Sequence, residues 1–167
     1  MRQTIYLTGF MGAGKSAVGK ELARLLRRPF VDLDLSIERA AGSSVASLFA
    51  RRGEEEFRKL ERKALLRAAK RSGVVVALGG GTLLDPRNRA LVRKGFVVCL
   101  TCSKSELVRR LGPSRDSRPL LAGGPLGKRV AKLMVEREAE YADADWSVST
   151  TVNSPEAAAS LIAQRIP

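Results

Sequence analysis

The eight residues from Gly9 to Ser16 constrain the fold of this chain more than any other segment. They read Gly-Phe-Met-Gly-Ala-Gly-Lys-Ser, which matches the phosphate-loop pattern G-x-x-x-x-G-K-[S/T] in full. The apolar stretch 4–8 before it predicts a buried strand, and the helical period of 15–27 predicts a helix after it. Glycines let successive backbone N–H groups point at phosphate oxygens, and the helix adds its positive end. We therefore predict a nucleotide phosphate site made by Gly12, Ala13, Gly14, Lys15, Ser16 and Ala17.

Apolar runs alternate with helical stretches along the rest of the chain. The predicted strands are 4–8, 30–34, 73–78, 96–100 and 146–149, and the main predicted helices are 15–27, 54–71, 104–111 and 155–166, with helical material broken at Gly42 and Gly53. This alternation predicts an α/β three-layer sandwich, a five-stranded parallel sheet with helices on both faces. Residues 112–127, rich in Gly and Pro, are interpreted as a mobile lid. We expect one domain over residues 1–167, with ligands beyond the carboxyl ends of the strands.

Two carboxylates, Asp32 and Asp34, stand at the end of the second predicted strand. Alternate residues of a strand share a face, so the pattern places both side chains toward the ligand edge. One carboxylate would help Ser16 hold Mg²⁺, which needs hard oxygen ligands, and the other would serve an acceptor hydroxyl. Loop-entry or helix-capping aspartates are the alternative interpretation.

Composition excludes several function classes. The chain of 167 residues has no histidine, which removes histidine-dependent nucleophilic triads and histidine metal sites. Its net charge of +13 favours anionic partners, but five Phe, two Tyr and one Trp give little support to a nucleic-acid stacking surface. No apolar run approaches the roughly 20 residues of a membrane span. Two cysteines, Cys99 and Cys102, and no export signal predict a reducing cytoplasm; their C-x-x-C spacing leaves a redox pair as an alternative.

Six spaced motifs together resemble the shikimate kinase family, and the resemblance covers nearly the whole chain. They are GFMGAGKS at 9–16, DLD at 32–34, GEEEFRKLE at 53–61, GGG at 79–81, RPLL at 118–121 and EREAEY at 136–141. The resemblance implies a P-loop kinase fold like that of nucleoside monophosphate kinases, with a substrate-binding helical segment at about 34–61. It also implies Mg²⁺- and ATP-dependent phosphorylation of the shikimate 3-hydroxyl, in aromatic amino-acid biosynthesis. We expect a monomer, because a chain of this length can bury its own core.

The resemblance assigns roles to individual residues. It implies that Asp34 binds the shikimate hydroxyls and helps deprotonate one, and that Lys15, Ser16 and Asp32 serve the nucleotide and Mg²⁺. The residues implied to contact shikimate are Asp34, Phe49, Phe57, Arg58, Gly79, Gly80, Gly81 and Arg137. Arg118 would reach the transferring phosphate from the lid, and Arg110 would lie by the adenine, a role for which Arg109 and Arg115 compete.

The residues themselves support part of this assignment. Glu54 and Glu61 stand at helical spacings from Arg58 and can orient its guanidinium, although a surface ion pair is the simpler alternative. The three glycines at 79–81 fit the close approach of a ligand or a plain turn. A kinase for another hydroxy acid such as gluconate, and a nucleic-acid-binding P-loop protein suggested by the charge, are the competing hypotheses.

Overall fold

A five-stranded parallel sheet lies at the centre of the computed structural model, which describes residues 3–166. The strands follow the spatial order β2-β3-β1-β4-β5. They are β1 (Ile5–Gly9), β2 (Phe30–Asp32), β3 (Val75–Ala77), β4 (Phe96–Thr101) and β5 (Trp146–Ser149). β1 pairs in parallel with β3 and β4, with Ile5 opposite Val75 and Phe96. The carboxyl ends of the strands therefore meet at one edge, and the loops that follow them gather there.

Seven α-helices connect and cover these strands within the described residues. They are α1 (Lys15–Leu26), α2 (Leu33–Ala41), α3 (Val45–Ala69), α4 (Pro86–Val92), α5 (Lys104–Leu111), α6 (Leu126–Tyr141) and α7 (Pro155–Arg165). Gly42 ends α2 with φ of 61°, and Gly53 kinks α3 with φ of 77°. Both glycines interrupt the helical material as the sequence predicts.

The two faces of the sheet bury separate apolar clusters. Alternate strand residues divide between them because successive side chains of a strand point to opposite faces. Ile5 and Leu7 of β1 pack in one cluster with residues of α1 and α7, whereas Tyr6 packs in the other with residues of α3 and α4. The predicted three-layer sandwich is thus confirmed.

The second strand ends two residues earlier than predicted. Helix α2 begins at Leu33, and Asp32 is its N-cap, with a side-chain oxygen accepting from the Leu35 N–H at 3.2 Å. The prediction that Asp32 and Asp34 share one face of a strand is therefore wrong. Asp32 closes the strand and caps the helix, and Asp34 stands in the first turn of that helix.

The predicted lid segment 112–127 folds as two 3₁₀ turns, Gly112–Ser117 and Pro119–Leu121, before α6 begins. Leu121 is fully buried and packs with Phe10, Leu111 and Val130, and the partly buried Leu126 packs against the same cluster, so this segment is attached to the core. Over residues 3–166, no helix is both long and apolar enough to cross a membrane.

Candidate active site

The loop between β1 and α1 has the backbone geometry that a phosphate-binding loop needs. Gly9, Gly12 and Gly14 have φ of 132°, 78° and 94°, in the region that favours glycine. A side chain at Gly9 would also collide with the Leu100 carbonyl of the neighbouring strand. Gly14 is the N-cap of α1 and has no side chain to cap the helix, so the first N–H groups of α1 stay available to an anion.

Lys15, the first residue of α1, points back across this loop. Its Nζ donates to the carbonyl oxygens of Gly9 at 2.8 Å and Phe10 at 2.9 Å. Burial lowers the pKa of Lys15 to about 8, and the nearby Asp34 carboxylate partly offsets that effect. A buried ammonium held this way is positioned for phosphate and requires little reorganisation when the ligand arrives.

Ser16 and Asp32 form a pair of oxygen groups beside the loop. The Ser16 hydroxyl donates to Oδ2 of Asp32. No cluster of three or more Asp, Glu, Cys or His side chains suited to a metal occurs in the part of the chain that the structure describes. One hydroxyl and one carboxylate fit Mg²⁺, which commonly takes few protein ligands and completes its shell with water and phosphate oxygens.

A cavity of about 320 Å³ opens next to the loop, and Asp34 lines it. Burial and then the charge of Glu61 raise the pKa of Asp34 to about 6, while Lys15 opposes the rise. The pKa of Asp34 therefore lies near neutral pH, which suits a carboxylate that accepts a proton during a reaction.

Arg58 lies in the same cavity, and carboxylates on either side of it along α3 hold its guanidinium. Nη1 contacts Glu61 at 2.8 Å, and Nη2 contacts Glu54 at 3.0 Å. Glu61 is 1% exposed, and its other oxygen accepts from the Thr82 hydroxyl at 2.6 Å. The predicted orientation of Arg58 by Glu54 and Glu61 is confirmed.

Arg137 approaches the cavity from α6 and is 4% exposed. Its Nη1 donates to the Gly80 carbonyl at 3.0 Å, and the Tyr141 hydroxyl donates to the same oxygen at 2.9 Å. Arg58 and Arg137 thus lie at one cavity from separate helices, as the sequence hypothesis requires. The role of these arginines remains a prediction.

The strip Gly79–Gly81 lies beneath these side chains. A Cβ at Gly79 would come within 2.5 Å of Glu61 Oε1 and 3.0 Å of Asp34 Oδ1, and one at Gly81 within 2.7 Å of Arg58 Nη2. Even before any ligand enters, the site's own charged side chains therefore occupy the space that side chains at these positions would need.

Two aromatic rings and the lid segment complete the wall of the cavity. Phe49 and Phe57 have ring centroids 4.7 Å apart, and both line the cavity. Arg118 also lines it, and its Nε donates to the Ser114 hydroxyl at 3.2 Å. All the residues predicted to contact the substrate therefore lie around a single cavity.

The three arginines that compete for the adenine have different surroundings. The Arg110 guanidinium lies beside the phosphate loop and donates to the carbonyls of Thr150 at 2.6 Å and Gly12 at 3.3 Å. Arg109 is 73% exposed and pairs with Glu106. Arg115 donates to Gly124 within the lid segment. Only Arg110 of the three contacts the phosphate loop, which favours it for the predicted role.

Three residues of the site received no individual role from the sequence. Thr82 and Tyr141 bind Glu61 and Gly80 as described above, and the Thr150 hydroxyl donates to Ala13 of the phosphate loop at 2.8 Å from 137 residues away. Only Tyr141, one helical turn after Arg137, could have been inferred from spacing.

The two cysteines lie apart from this chemistry. Both are free thiols, and burial raises the pKa of Cys99 to about 11. A thiol that holds its proton so strongly is a poor nucleophile, so this environment favours ordinary strand-end cysteines over a redox pair.

A parallel sheet in this strand order, with a phosphate loop next to a cavity lined by the half-buried Asp34 carboxylate, defines a P-loop phosphotransferase of the small-molecule kinase class. Within that class the chain belongs to the shikimate kinase family, whose family model matches residues 11–167. A shikimate kinase of Geobacter metallireducens is 45% identical over 92% of this chain and 86% of its own length. A shikimate kinase structure from Acinetobacter baumannii, solved in complex with shikimate, has a TM-score of 0.95 and 33% identity over 99% of this chain and 93% of that one.

A gluconokinase structure from Sinorhizobium meliloti has the same fold, with a TM-score of 0.61. It is 19% identical over 99% of this chain and 97% of its own. At that identity the likeness establishes shared architecture alone.

Proposed function

We propose that this chain transfers the γ-phosphoryl group of ATP to the 3-hydroxyl of shikimate, forming shikimate 3-phosphate and ADP in aromatic amino-acid biosynthesis. The observation that carries the proposal is the single cavity that joins Asp34 to Arg58 and Arg137 next to Lys15. Shikimate is a hydroxylated ring with one carboxylate, and this cavity offers a base at one part and guanidinium groups at another.

The substrate side of the proposal assigns each part of the ring to a wall. Arg58 and Arg137 would hold the carboxylate, because planar guanidinium groups can bind a carboxylate through two parallel hydrogen bonds. The Phe49 and Phe57 rings would bound the carbon skeleton, and Gly79–Gly81 would let the ring approach the backbone. Asp34 would accept hydrogen bonds from the hydroxyls.

The reaction requires one proton transfer at Asp34. Its carboxylate accepts the proton of the attacking hydroxyl, the hydroxyl oxygen forms a bond to the γ-phosphorus, and the bond from that phosphorus to the β–γ bridging oxygen breaks to release ADP. With a pKa of about 6, Asp34 is mainly ionised at neutral pH and can take that proton.

Charge stabilisation comes from the loop and the lid. Lys15 and the backbone N–H groups of Gly12 and Gly14 would bind the phosphates, and Arg118 would meet the transferring group from the other side. Mg²⁺ held by Ser16 and Asp32 would neutralise phosphate charge when bound. Burial lowers the pKa of the Arg118 guanidinium from its very high ordinary value, but the group stays charged.

A coupled ADP-release assay tests the proposal. Shikimate, gluconate and nucleoside monophosphates are offered in turn with Mg-ATP, and the Asp34→Asn variant is the matched control for contaminating activity. We expect turnover with shikimate alone, lost in the variant. Efficient turnover of gluconate or of a nucleotide instead of shikimate would overturn the substrate assignment while leaving the kinase class intact.

The proposal includes a monomer working in the cytoplasm. The two free cysteines, Cys99 and Cys102, fit a reducing compartment. Size-exclusion chromatography with light scattering should give the mass of one chain, 18.1 kDa, and a mass of two or more chains would contradict this part of the proposal.

A further inference from the structure

Glu140, in the last turn of α6, is a buried carboxylate without a hydrogen-bond partner. The residue is 5% exposed, and neither side-chain oxygen reaches solvent or a donor. The other buried glutamate, Glu61, differs because both of its oxygens accept hydrogen bonds, from Arg58 and Thr82. An unpaired buried carboxylate is costly to the fold when it is ionised, and the cost falls when it is protonated.

Charged groups on three helices act on Glu140. Arg137 stands one turn earlier on α6, Arg58 is on α3 and Arg89 on α4, and all three favour the ionised form. Glu61 on α3 disfavours it. Burial is the largest influence, and it raises the pKa of Glu140 above its ordinary value.

These arginines are unequally engaged. Glu61 and Glu54 already bind Arg58, and Arg89 donates to the Leu83 carbonyl at 2.8 Å. The Arg137 guanidinium donates to the Gly80 carbonyl and interacts with the Tyr141 hydroxyl, and it binds no carboxylate as Arg58 does, which leaves several of its N–H donors for a ligand. Arg137 is also the charged group with the largest effect on Glu140, so the two act chiefly on each other.

We propose that Glu140 is a positioning residue that tunes the positive field of the Arg58–Arg137 pair and takes up a proton when a carboxylate substrate binds to that pair. This inference rests on the proposed function, because it deepens the role given to the two arginines. An ionised Glu140 neutralises part of the positive field of Arg137, and a substrate carboxylate would repel it. Protonation removes both effects, so substrate affinity is highest when Glu140 is neutral.

The sign of the pH dependence follows from this competition. As pH rises through the titration of Glu140, the KM for shikimate rises, because the substrate then binds beside a second negative charge. Asp34 lines the cavity and also titrates, with a pKa of about 6, so its contribution must be separated from that of Glu140. The difference between the unmodified enzyme and a Glu140 variant isolates Glu140, because Asp34 is present in both.

The test compares Glu140→Gln with the unmodified enzyme. Glutamine keeps the shape and stays neutral, so we expect it to lower the KM for shikimate on the order of tenfold at the alkaline end of the pH profile. The difference should vanish at low pH, and kcat should change much less than KM. Exposed Glu138, two residues earlier on the same helix, provides the control variant Glu138→Gln, which should leave all of these values unchanged.

Calorimetry supplies a readout that a merely structural role would not affect. Shikimate is titrated in buffers of different ionisation enthalpy, without nucleotide, to measure proton uptake. We expect uptake by the unmodified enzyme to exceed that of Glu140→Gln and of Glu140→Leu, a second neutral variant in case the glutamine variant is poorly folded. Equal proton uptake and parallel KM profiles in all three proteins would overturn the inference.

A different set of variants tests the proposed function separately from the role of Glu140. If Arg58→Ala and Arg137→Ala leave the KM for shikimate unchanged, the two arginines do not bind the carboxylate, and the proposed function loses its support. If those variants bind shikimate poorly and the Glu140 variants behave like the unmodified enzyme, only the role of Glu140 is wrong.

Discussion

Two carboxylates, Asp34 and Glu61, share the space above Gly79, and their closeness sets the chemistry of both. Hydrogen bonds from Arg58 and Thr82 hold the Glu61 carboxylate beside Asp34, and its negative charge acts on that neighbour. Burial and this charge raise the pKa of Asp34. The two carboxylates therefore differ: two hydrogen bonds occupy the oxygens of Glu61, whereas the Asp34 side chain lines the cavity with its pKa raised.

Replacing Asp34 with Asn should lower kcat by roughly 10²- to 10⁴-fold, the usual size of a lost general base, with little change in the KM for ATP. In the unmodified enzyme kcat/KM should fall as pH drops through about 6, because the protonated carboxyl cannot accept the hydroxyl proton. Steady-state kinetics between about pH 5 and 8 check both. A variant that keeps most of its kcat would exclude Asp34 as the base.

The same pKa shift has a consequence for stability with the opposite trend. A carboxyl whose pKa is raised by folding disfavours the folded state once it ionises, so its cost appears as pH rises from about 4 to 6. The Asp34→Asn variant should therefore be more stable than the unmodified enzyme at neutral pH and lose that advantage in acid. Thermal melts at both pH values measure the difference.

Replacing Arg58 with Ala should raise the KM for shikimate by roughly 10- to 150-fold, because a hydrogen bond to a charged group contributes about 1.5–3 kcal/mol. The KM for ATP should change much less. Arg58→Lys should also bind poorly, since it keeps the charge and loses the planar fork that Glu54 and Glu61 orient.

Shikimate methyl ester, which lacks the carboxylate charge, is the control substrate for the Arg58 variants. It removes the charge that Arg58 is expected to bind, so the penalty of Arg58→Ala should shrink when the ester is used. An ester that is phosphorylated as well as the free acid would show that the arginines do not bind a carboxylate.

Gly79→Ala adds only one methyl group and should still inactivate the enzyme. The added Cβ would lie within 2.5 Å of Glu61 Oε1, so the Glu61–Arg58–Thr82 arrangement must shift. A Cβ added at Gly127, in the first turn of α6, would meet no neighbouring atom within 4 Å. Gly127→Ala is therefore the control and should have nearly normal activity. Comparable activities of the two variants would show that the packing above Gly79 is unimportant.

At the scale of elements, the lid segment 112–127 has one fully buried side chain, Leu121, and exposed glycines after it. Leu121 is fully buried against Phe10 and Leu111, while Gly123 and Gly124 have φ of 75° and 73° and are exposed. The sequence interpretation of a mobile lid remains a prediction. The structure adds that Leu121 anchors the segment to the core.

Leu121→Ala should destabilise the fold by about 2–4 kcal/mol, as expected for truncating a buried leucine. It should also lower kcat, because Arg118 loses its support, and raise hydrogen exchange across 112–120.

In the unmodified enzyme, shikimate with nucleotide should slow that exchange. The exposed Lys128→Ala is the control, and identical exchange in the free and doubly liganded enzyme would contradict a lid.

At the scale of the whole molecule, much of the fold could be predicted from patterns that involve near neighbours in sequence. The phosphate loop defines a strand before it and a helix after it, and apolar periodicity locates the other strands. The alternating pattern of 30–34 predicts Asp34 on a strand, whereas Asp32 caps a helix that begins at Leu33, because a capping aspartate and a strand-end aspartate have the same local sequence pattern. The partnership of Thr150 with Ala13 could not be predicted, because it joins residues far apart in the chain.

The buried state of Glu140 could not be predicted for a similar reason. Its neighbours in sequence, Glu138 and Ala139, are exposed, and its burial comes from the packing of α6 against the rest of the chain. A local pattern that includes a glutamate near the end of a helix predicts a solvated residue. Tertiary contacts override that prediction here.

The position of Leu121 also determines where the chain tolerates a change of length. Residues inserted between Leu121 and α6 would extend an exposed loop without moving Arg118, because the buried leucine fixes the chain before the insertion. Residues inserted between α5 and Arg118 would lengthen the span that carries this arginine and shift it relative to the cavity. Divergent members of this family should therefore vary in length on the first side far more readily than on the second.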